Sequence, residues 1–559
     1  MRIGPFSELF NTFAINIYPP LYLHCIMHYK VFSTVFCILI AMTVQSRTMK
    51  VMGTITDEKG KPAPGVVVSD GFSVVETDYQ GRYSFVRHDA AYYVYYSIPA
   101  DCEVPMLYGI PAFYSKLDRD SVYNFRLKRM QEGIQKRFSL FFIGDPQCQN
   151  MYHLSRFHKE TTRDIKNFCS SLSMPCYGIT LGDIAYTEGE FNTNYILPLM
   201  KEEMKEQNIG MPVFQTVGNH DHIYNGLATN EQNPTAMYRF KRMFEDIFGP
   251  VNYSWNRGNV HIISMDNVMY DSINKANKYH GEFTKEQLQW LKKDLASVSK
   301  DKLIILCAHI PVYRTRNCSH VLDILKEFQH KVFFSGHIHT NSCHIHRDGT
   351  KEYNLASASG CWWWSRICGD GSPNGYKVVT IDGSTIVNQI WKGTDCDKNF
   401  QIRLYRGNSV FGGKHERCQL PYGKNVILAN VFAWDSDWKV KVYEDGVCQG
   451  EMKKIPFMGE SDTIPSLTSC KDWWAIGYHT GVIGRGHIKG SRRRSYINTC
   501  NHLFIYNMKR ANAHIKVVAT DPYGNTYSQD QLIEGNAFLP GNKIYESAIP
   551  PAKTDVISF

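Results

Sequence analysis

Five short apolar runs, 138–143, 177–181, 213–217, 303–307 and 332–334, each read as a buried strand that stops at a polar cluster. They lead into Gly144-Asp145-Pro146-Gln147, Gly182-Asp183-Ile184-Ala185-Tyr186, Gly218-Asn219-His220-Asp221, Ala308-His309-Ile310-Pro311 and Gly336-His337-Ile338-His339. Segments of helical period lie between them. In the clearest, 284–295, Thr284 and Gln287 fit a capping box, and Leu288, Leu291 and Leu295 form one apolar face that reads as core. Strands interleaved with helices predict a layered α/β domain. Polar residues at successive strand ends are where an open α/β sheet places its active site.

The flanks change period. Residues 50–56 alternate and end at the turn 57–60, 62–65 break the chain before 66–68, and after the turn 77–81 Tyr83 and Phe85 share a strand face. Short strands with turns at this spacing predict a small β-sandwich. Beyond about 391, 426–432 reads as a strand, Trp438, Val440 and Val442 alternate with Lys439 and Lys441, and 514–520 ends at the turn 521–525, so a second β-rich module follows. Near the start, the apolar run 31–41 behind Lys30 is too short to span a bilayer. It fits the core of a signal peptide that starts at Met27 and is cleaved around 43–46, leaving no transmembrane span. The bulky Phe36 before Cys37 argues against a lipoprotein. The expected organisation is 1–46 extension and signal, 47–130 β-sandwich, 131–388 catalytic domain and 389–559 β-rich accessory domain.

A length of 559 residues suits several domains. The net charge of +9 is modest, and no basic stripe is interleaved with aromatics, so specific nucleic-acid binding is not expected. The run Arg492-Arg493-Arg494 reads as a solvated loop. The 16 cysteines include no Cys-x-x-Cys pair. Cys307 reads as a buried small hydrophobe, while Cys361 and Cys368 are close enough in sequence to pair. The glycine-rich stretch 481–490 lacks a dinucleotide fingerprint and reads as a surface loop; His479, Arg485 and His487 are the residues it would bring to a lid.

Asp, Asn, Gln and His at strand ends offer oxygen and imidazole donors that could hold two divalent metals with one carboxylate shared. This set, in this order, resembles the calcineurin-like metallophosphoesterase superfamily. The resemblance rests on motifs across the central domain and on architecture in the flanks. Gly-Lys-Pro-Ala-Pro-Gly-Val at 60–66 and Thr-Asp-x-x-Gly-x-Tyr-x-Phe at 77–85 resemble the transthyretin-like, carboxypeptidase-regulatory-like sandwich of exported bacterial proteins. The C-terminal region is similar to a domain accompanying some exported bacterial members. The resemblance implies a two-sheet α-β-β-α core between β modules, in a protein of the bacterial periplasm or cell surface.

It also implies roles. One metal would take Asp145, Gln147, Asp183 and His339, and the other Asp183, Asn219, His309 and His337, with a hydroxide between them attacking a phosphate mono- or diester. His220 would act as general acid or steady phosphoryl charge, with Asp221 or a distant carboxylate orienting it. The family's first motif usually reads Asp-x-His; Gln147 offers a neutral hard oxygen instead, which weakens zinc relative to manganese, magnesium or iron. Tyr186 stands where purple acid phosphatases carry an iron-binding tyrosine, and is read here as lining the pocket. The loop 359–376 follows the last motif, so Trp362, Trp363, Trp364, Arg366 and Asn374 are candidate substrate contacts. The substrate would be a small phosphorylated molecule or a lipid or nucleotide phosphoester. The competing reading is a non-catalytic surface binding protein on the same scaffold. Gln147 favours it, and retention of the other six candidate ligands and His220 opposes it.

Overall fold

The computed structural model describes residues 49–533 apart from 119, 187–189, 223–237, 239, 271–278, 412–416, 456–470 and 483–498. The expected signal segment lies outside the described residues, as do Arg485, His487 and the arginine run at 492–494. Among the described residues no helix is long and apolar enough to cross a membrane.

Two sheets form the centre. The first runs Val213–Phe214, Cys176–Thr180, Arg137–Ile143, Gly375–Asp382, Thr385–Gly393, its first three strands parallel. The second runs Tyr253–Arg257, Val260–Ser264, Leu303–Ala308, Lys331–Ser335, Lys351–Asn354, Ser342–Ile345, its four inner strands parallel. Parallel register aligns the strand ends: Ile143 lies beside Thr180, and Ala308 beside Ser335. The motifs that follow therefore leave each sheet from one edge.

Side-chain alternation builds the layers. Within Leu303–Ala308, residues Ile304, Leu306 and Ala308 pack with Trp290 and Leu291 of the helix Lys285–Asp294 and with Val321, Leu322 and Leu325 of the helix Cys318–Leu325. Leu303, Ile305 and Cys307 face the core between the sheets. Burial on both faces is why such strands read as unbroken apolar runs. Across the two sheets Phe142 stacks on Phe334 with ring centroids 3.9 Å apart, and Phe214 on Trp255 at 4.1 Å. The helix Lys285–Asp294 starts as expected, with Thr284 and Gln287 in a reciprocal capping box. Leu291 and Leu295 are buried and Leu288 sits at the margin; Trp290, outside the expected face, is fully buried.

The N-terminal module pairs a three-stranded sheet (Arg82–Val86, Lys50–Thr56, Phe125–Arg126) with a four-stranded one (Val74–Glu76, Val67–Ser69, Tyr93–Tyr96, Tyr114–Lys116). Tyr83 and Phe85 point inward, as their alternation requires. The C-terminal module holds a five-stranded sheet around Val426–Val431 and a four-stranded one around Lys439–Glu444, where buried Val440 and Val442 alternate with exposed lysines. The strand Thr385–Gly393 runs through the boundary expected at 388, because it completes a hairpin with Gly375–Asp382 in the central sheet. Cys368 is a free thiol and so does not pair with Cys361, and Cys307 is buried as expected.

Candidate metal centre

The five motif loops bring seven polar side chains together. Asp183, His309 and His337 each place a potential ligand atom within 4.8 Å of the others. His309 Nε2 lies 3.3 Å from Asp183 Oδ2, 3.0 Å from Asn219 Oδ1 and 3.2 Å from His337 Nδ1. On the other side Gln147 Nε2 lies 2.9 Å from Asp183 Oδ2, and His339 Nε2 lies 3.2 Å from Asp145 Oδ1. Asp183 thus touches both groups.

The backbone is bent to achieve this. Asp145, Gln147, Asp183, His337 and His339 have φ of 46°, 42°, 52°, 72° and 57°, in the left-handed region that side chains rarely adopt. Such positions cost about 1 kcal/mol or more each and persist only where the surroundings over-determine them. Two glycines make room. A Cβ on Gly218 would stand 2.3 Å from Asp183 Oδ1, and one on Gly336 2.5 Å from Asp145 Oδ2. Backbone donors then fix the carboxylates: His220 N donates to Asp183 Oδ1 at 2.8 Å, and His337 N to Asp145 Oδ2 at 3.0 Å.

The donor set suits a cation. Leu181 O can only accept, so His309 Nδ1, 2.8 Å away, carries the hydrogen. That leaves the Nε2 lone pair facing Asp183 and Asn219 oxygens, a repulsive arrangement until a proton or a metal fills it. Burial works against charge on His309, but Asp183 overrides it and raises its pKa to about 9. Burial opposes ionisation of Asp183 too, yet His309 and His220 hold its carboxyl far below the usual range. Burial and the adjacent His309 push His337 down to about 3. Gln147 Oε1 is buried with no hydrogen-bond partner, an orphan that a metal would satisfy.

Three buried carboxylates hold these loops from behind. Asp221 accepts from Ile184 N at 2.9 Å, Ala185 N at 3.1 Å and Gly218 N at 2.8 Å, tying the second motif to the third. Burial and the Asp183 charge push it up to about 8 against the pull of those donors. Its oxygens accept from backbone N–H groups, so its observed task is to fix the loops. Glu352 accepts from Val312 N at 2.6 Å and Tyr313 N at 3.0 Å, just past His309. Asp370 accepts from Asn341 N at 2.7 Å, two residues past His339. Asp370 sits in an Asx turn with Ser372, a local signal that sequence reading could have used. For Glu352, one charged residue in a strand, there was none.

The remaining candidates divide. The half-buried His220 ring packs against Tyr186 with centroids 4.3 Å apart, and Trp362 lies beside His339 at 5.5 Å. Tyr279, which sequence reading missed, packs on His337 at 5.8 Å. Trp363 is fully buried and donates from Nε1 to Pro146 O at 2.8 Å, so it supports the first motif from inside. Trp364 is half-buried, its N–H donating to Cys361 O at 2.9 Å. Arg366 is no phosphate clamp: it is buried against Asp395 at 3.0 Å and Glu160 at 3.4 Å. Asn374 is buried as well, donating to Ala358 O at 3.2 Å. His479, considered for a lid, is buried with Nε2 3.1 Å from Ile367 O.

Three family models match in chain order: "N terminal of Calcineurin-like phosphoesterase" at 49–130, "Calcineurin-like phosphoesterase" at 138–341 and "C terminal of Calcineurin-like phosphoesterase" at 352–527. Together they support the calcineurin-like phosphoesterase superfamily and, in general terms, a metal-dependent phosphoesterase. No curated protein matches the sequence. Similar solved structures include a dimetal phosphatase from Danio rerio, at 15% identity and TM-score 0.32, covering 46% of this chain and 96% of that one. Another is a purple acid phosphatase from yellow lupin, at 14% identity and TM-score 0.33, covering 46% of this chain and 52% of that one.

Proposed function

We propose, from the calcineurin-like phosphoesterase superfamily that the three family models support, that the chain hydrolyses a phosphate mono- or diester with two divalent ions. Asp145, Gln147, Asp183 and His339 would hold one ion, and Asp183, Asn219, His309 and His337 the other. The observation that carries this reading is the meeting of lone pairs at His309 Nε2, with Asp183 shared between both groups. Divalent ions held there would supply Lewis-acid polarisation of a phosphoryl oxygen and lower the pKa of a water molecule.

The chain's own residues do the rest. Asp183 is fixed by His220 N and keeps Oδ2 directed at the two ligand groups. His220, half-buried beside the cluster, would donate a hydrogen bond to a phosphoryl or leaving oxygen. Asp221, Glu352 and Asp370 keep the loops from relaxing, so the donors are in place before substrate arrives.

The test is hydrolysis of p-nitrophenyl phosphate and bis-p-nitrophenyl phosphate by protein stripped of metal and reloaded with manganese, iron, zinc or magnesium. Metal-dependent turnover is expected, falling in Asp183→Asn by more than the roughly 100-fold that loss of an outer-shell partner causes. A folded protein that binds none of these ions would overturn the reading.

A further inference from the structure

Three half-buried aromatic rings border the metal centre, each packed on a different histidine: Tyr186 on His220, Tyr279 on His337 and Trp362 on His339. The way Trp362 is held is the telling feature. Trp362 and Trp363 are consecutive bulky residues with φ of 43° and 63°, an arrangement that costs free energy and needs an anchor. Trp363 is that anchor. Its ring is fully buried, its Nε1–H donates to Pro146 O at 2.8 Å, and its carbonyl accepts from Arg156 Nη1 at 2.5 Å. Arg156 is itself held by Glu160 at 2.7 Å. One buried tryptophan thus pins the loop to the Asp145-Pro146-Gln147 motif and delivers its neighbour, half-buried, to His339.

We propose that Trp362 and Tyr186 form a stacking surface for the leaving group, so that the site prefers phosphoesters whose leaving alcohol carries an aromatic ring. This rests on the phosphoesterase reading above. Tyr186 lies against His220, the residue that would reach a phosphoryl or leaving oxygen, and Trp362 lies against His339 of the candidate ligand group. Aromatic rings prefer offset-stacked or edge-on partners with centroids a few ångströms apart, and a flat leaving group supplies one where an alkyl chain does not.

The test uses the metal-loaded full chain and two matched pairs of probes. Benzyl and ethyl phosphate release alcohols of similar basicity, so their kcat/KM ratio reads the ring and not the leaving-group chemistry. Benzylphosphonate and ethylphosphonate, which are not hydrolysed, give the same comparison as a calorimetric binding ratio. The wild type should favour the benzyl member about tenfold in both pairs, the size of one good aromatic contact. Trp362→Phe should keep most of that preference, and Trp362→Leu, apolar but not planar, should bring the ratio below about twofold. A wild-type ratio near one, or a ratio unchanged in Trp362→Leu, overturns the stacking proposal while hydrolysis of both esters leaves the phosphoesterase reading standing. A benzyl preference in binding, lost in Trp362→Leu, with neither ester hydrolysed, supports the stacking surface and counts against the phosphoesterase reading instead.

Discussion

The two β modules grip the central domain in different ways. The N-terminal one docks on an edge. Ile98 bridges to Trp255 on the edge strand Tyr253–Arg257, and Arg257 Nη1 donates to Cys102 O at 2.9 Å. Tyr93 and Tyr92 donate to Glu245 O and Asp246 Oδ1, both at 2.7 Å, on the helix Arg242–Phe248. Phe113 packs on Phe214, on the strand leading towards Asn219. The C-terminal module instead reaches into the metal centre's supports. His502 Nε2 lies 3.2 Å from Asp370 Oδ2, and Asn430 Nδ2 donates to Asp370 O at 2.8 Å. That same Asp370 Oδ2 accepts from Asn341 N, two residues past His339. Burial opposes ionisation of Asp370, but the hydrogen bond and charge of His502 hold its carboxyl below the usual range. Asp435 adds a second tie, to Lys351 at 3.0 Å and Tyr353 at 2.7 Å, on either side of Glu352. Two flanks built alike of β-sheets can therefore differ in kind. One covers an open sheet edge, and the other completes the hydrogen-bonded shell behind the candidate metal ligands.

This contrast is breakable. Asp370→Ala should have the largest effect, because it strips the acceptor from both Asn341 N and a fully buried His502. The expected loss is about 3–5 kcal/mol in denaturant unfolding, together with a roughly 10–100-fold fall in metal affinity by chelator competition. Unchanged affinity in a folded variant would mean that the C-terminal module merely packs. His502→Ala should weaken metal binding by about tenfold, and His502→Gln, which can still donate to Asp370, by less. A merely structural histidine would give equal losses of stability in the two variants and leave affinity alone. Tyr93→Phe marks the small end. Removing its hydrogen bond to Glu245 O should cost about 1 kcal/mol of stability and leave metal affinity within about twofold of the wild type. A tenfold fall there would erase the distinction between the flanks.

What could be read from the residues, and what could not, follows the range of the physics. Strands at Arg137–Ile143 and Leu303–Ala308, and the capped helix Lys285–Asp294, are local patterns and were legible. So was the convergence of the five motifs, because parallel strands end at one edge. The loop 359–376 was not. Three consecutive tryptophans carry no period, so nothing local says that Trp363 turns inward and Trp362 towards His339; left-handed backbone at both decides it. Arg366 and Asn374 look like substrate contacts by type, and only the fold brings Asp395, Glu160 and Ala358 to occupy them. Asp221 was noticed for its neighbour His220, yet its partners are backbone N–H groups up to 37 residues away. Glu352 carried no local sign, its partner Val312 lying 40 residues away; Asp370 carried one in its turn with Ser372, but its tie to Asn341 spans 29 residues.

The most direct test of the central claim is anomalous diffraction from crystals of the protein loaded with manganese, beside equilibrium metal binding in solution. The account predicts two peaks, one on each side of the Asp183 carboxylate, and two ions bound per chain, with both sites impaired together in Asp183→Asn. Ions bound elsewhere, or two sites that survive Asp183→Asn intact, would contradict it.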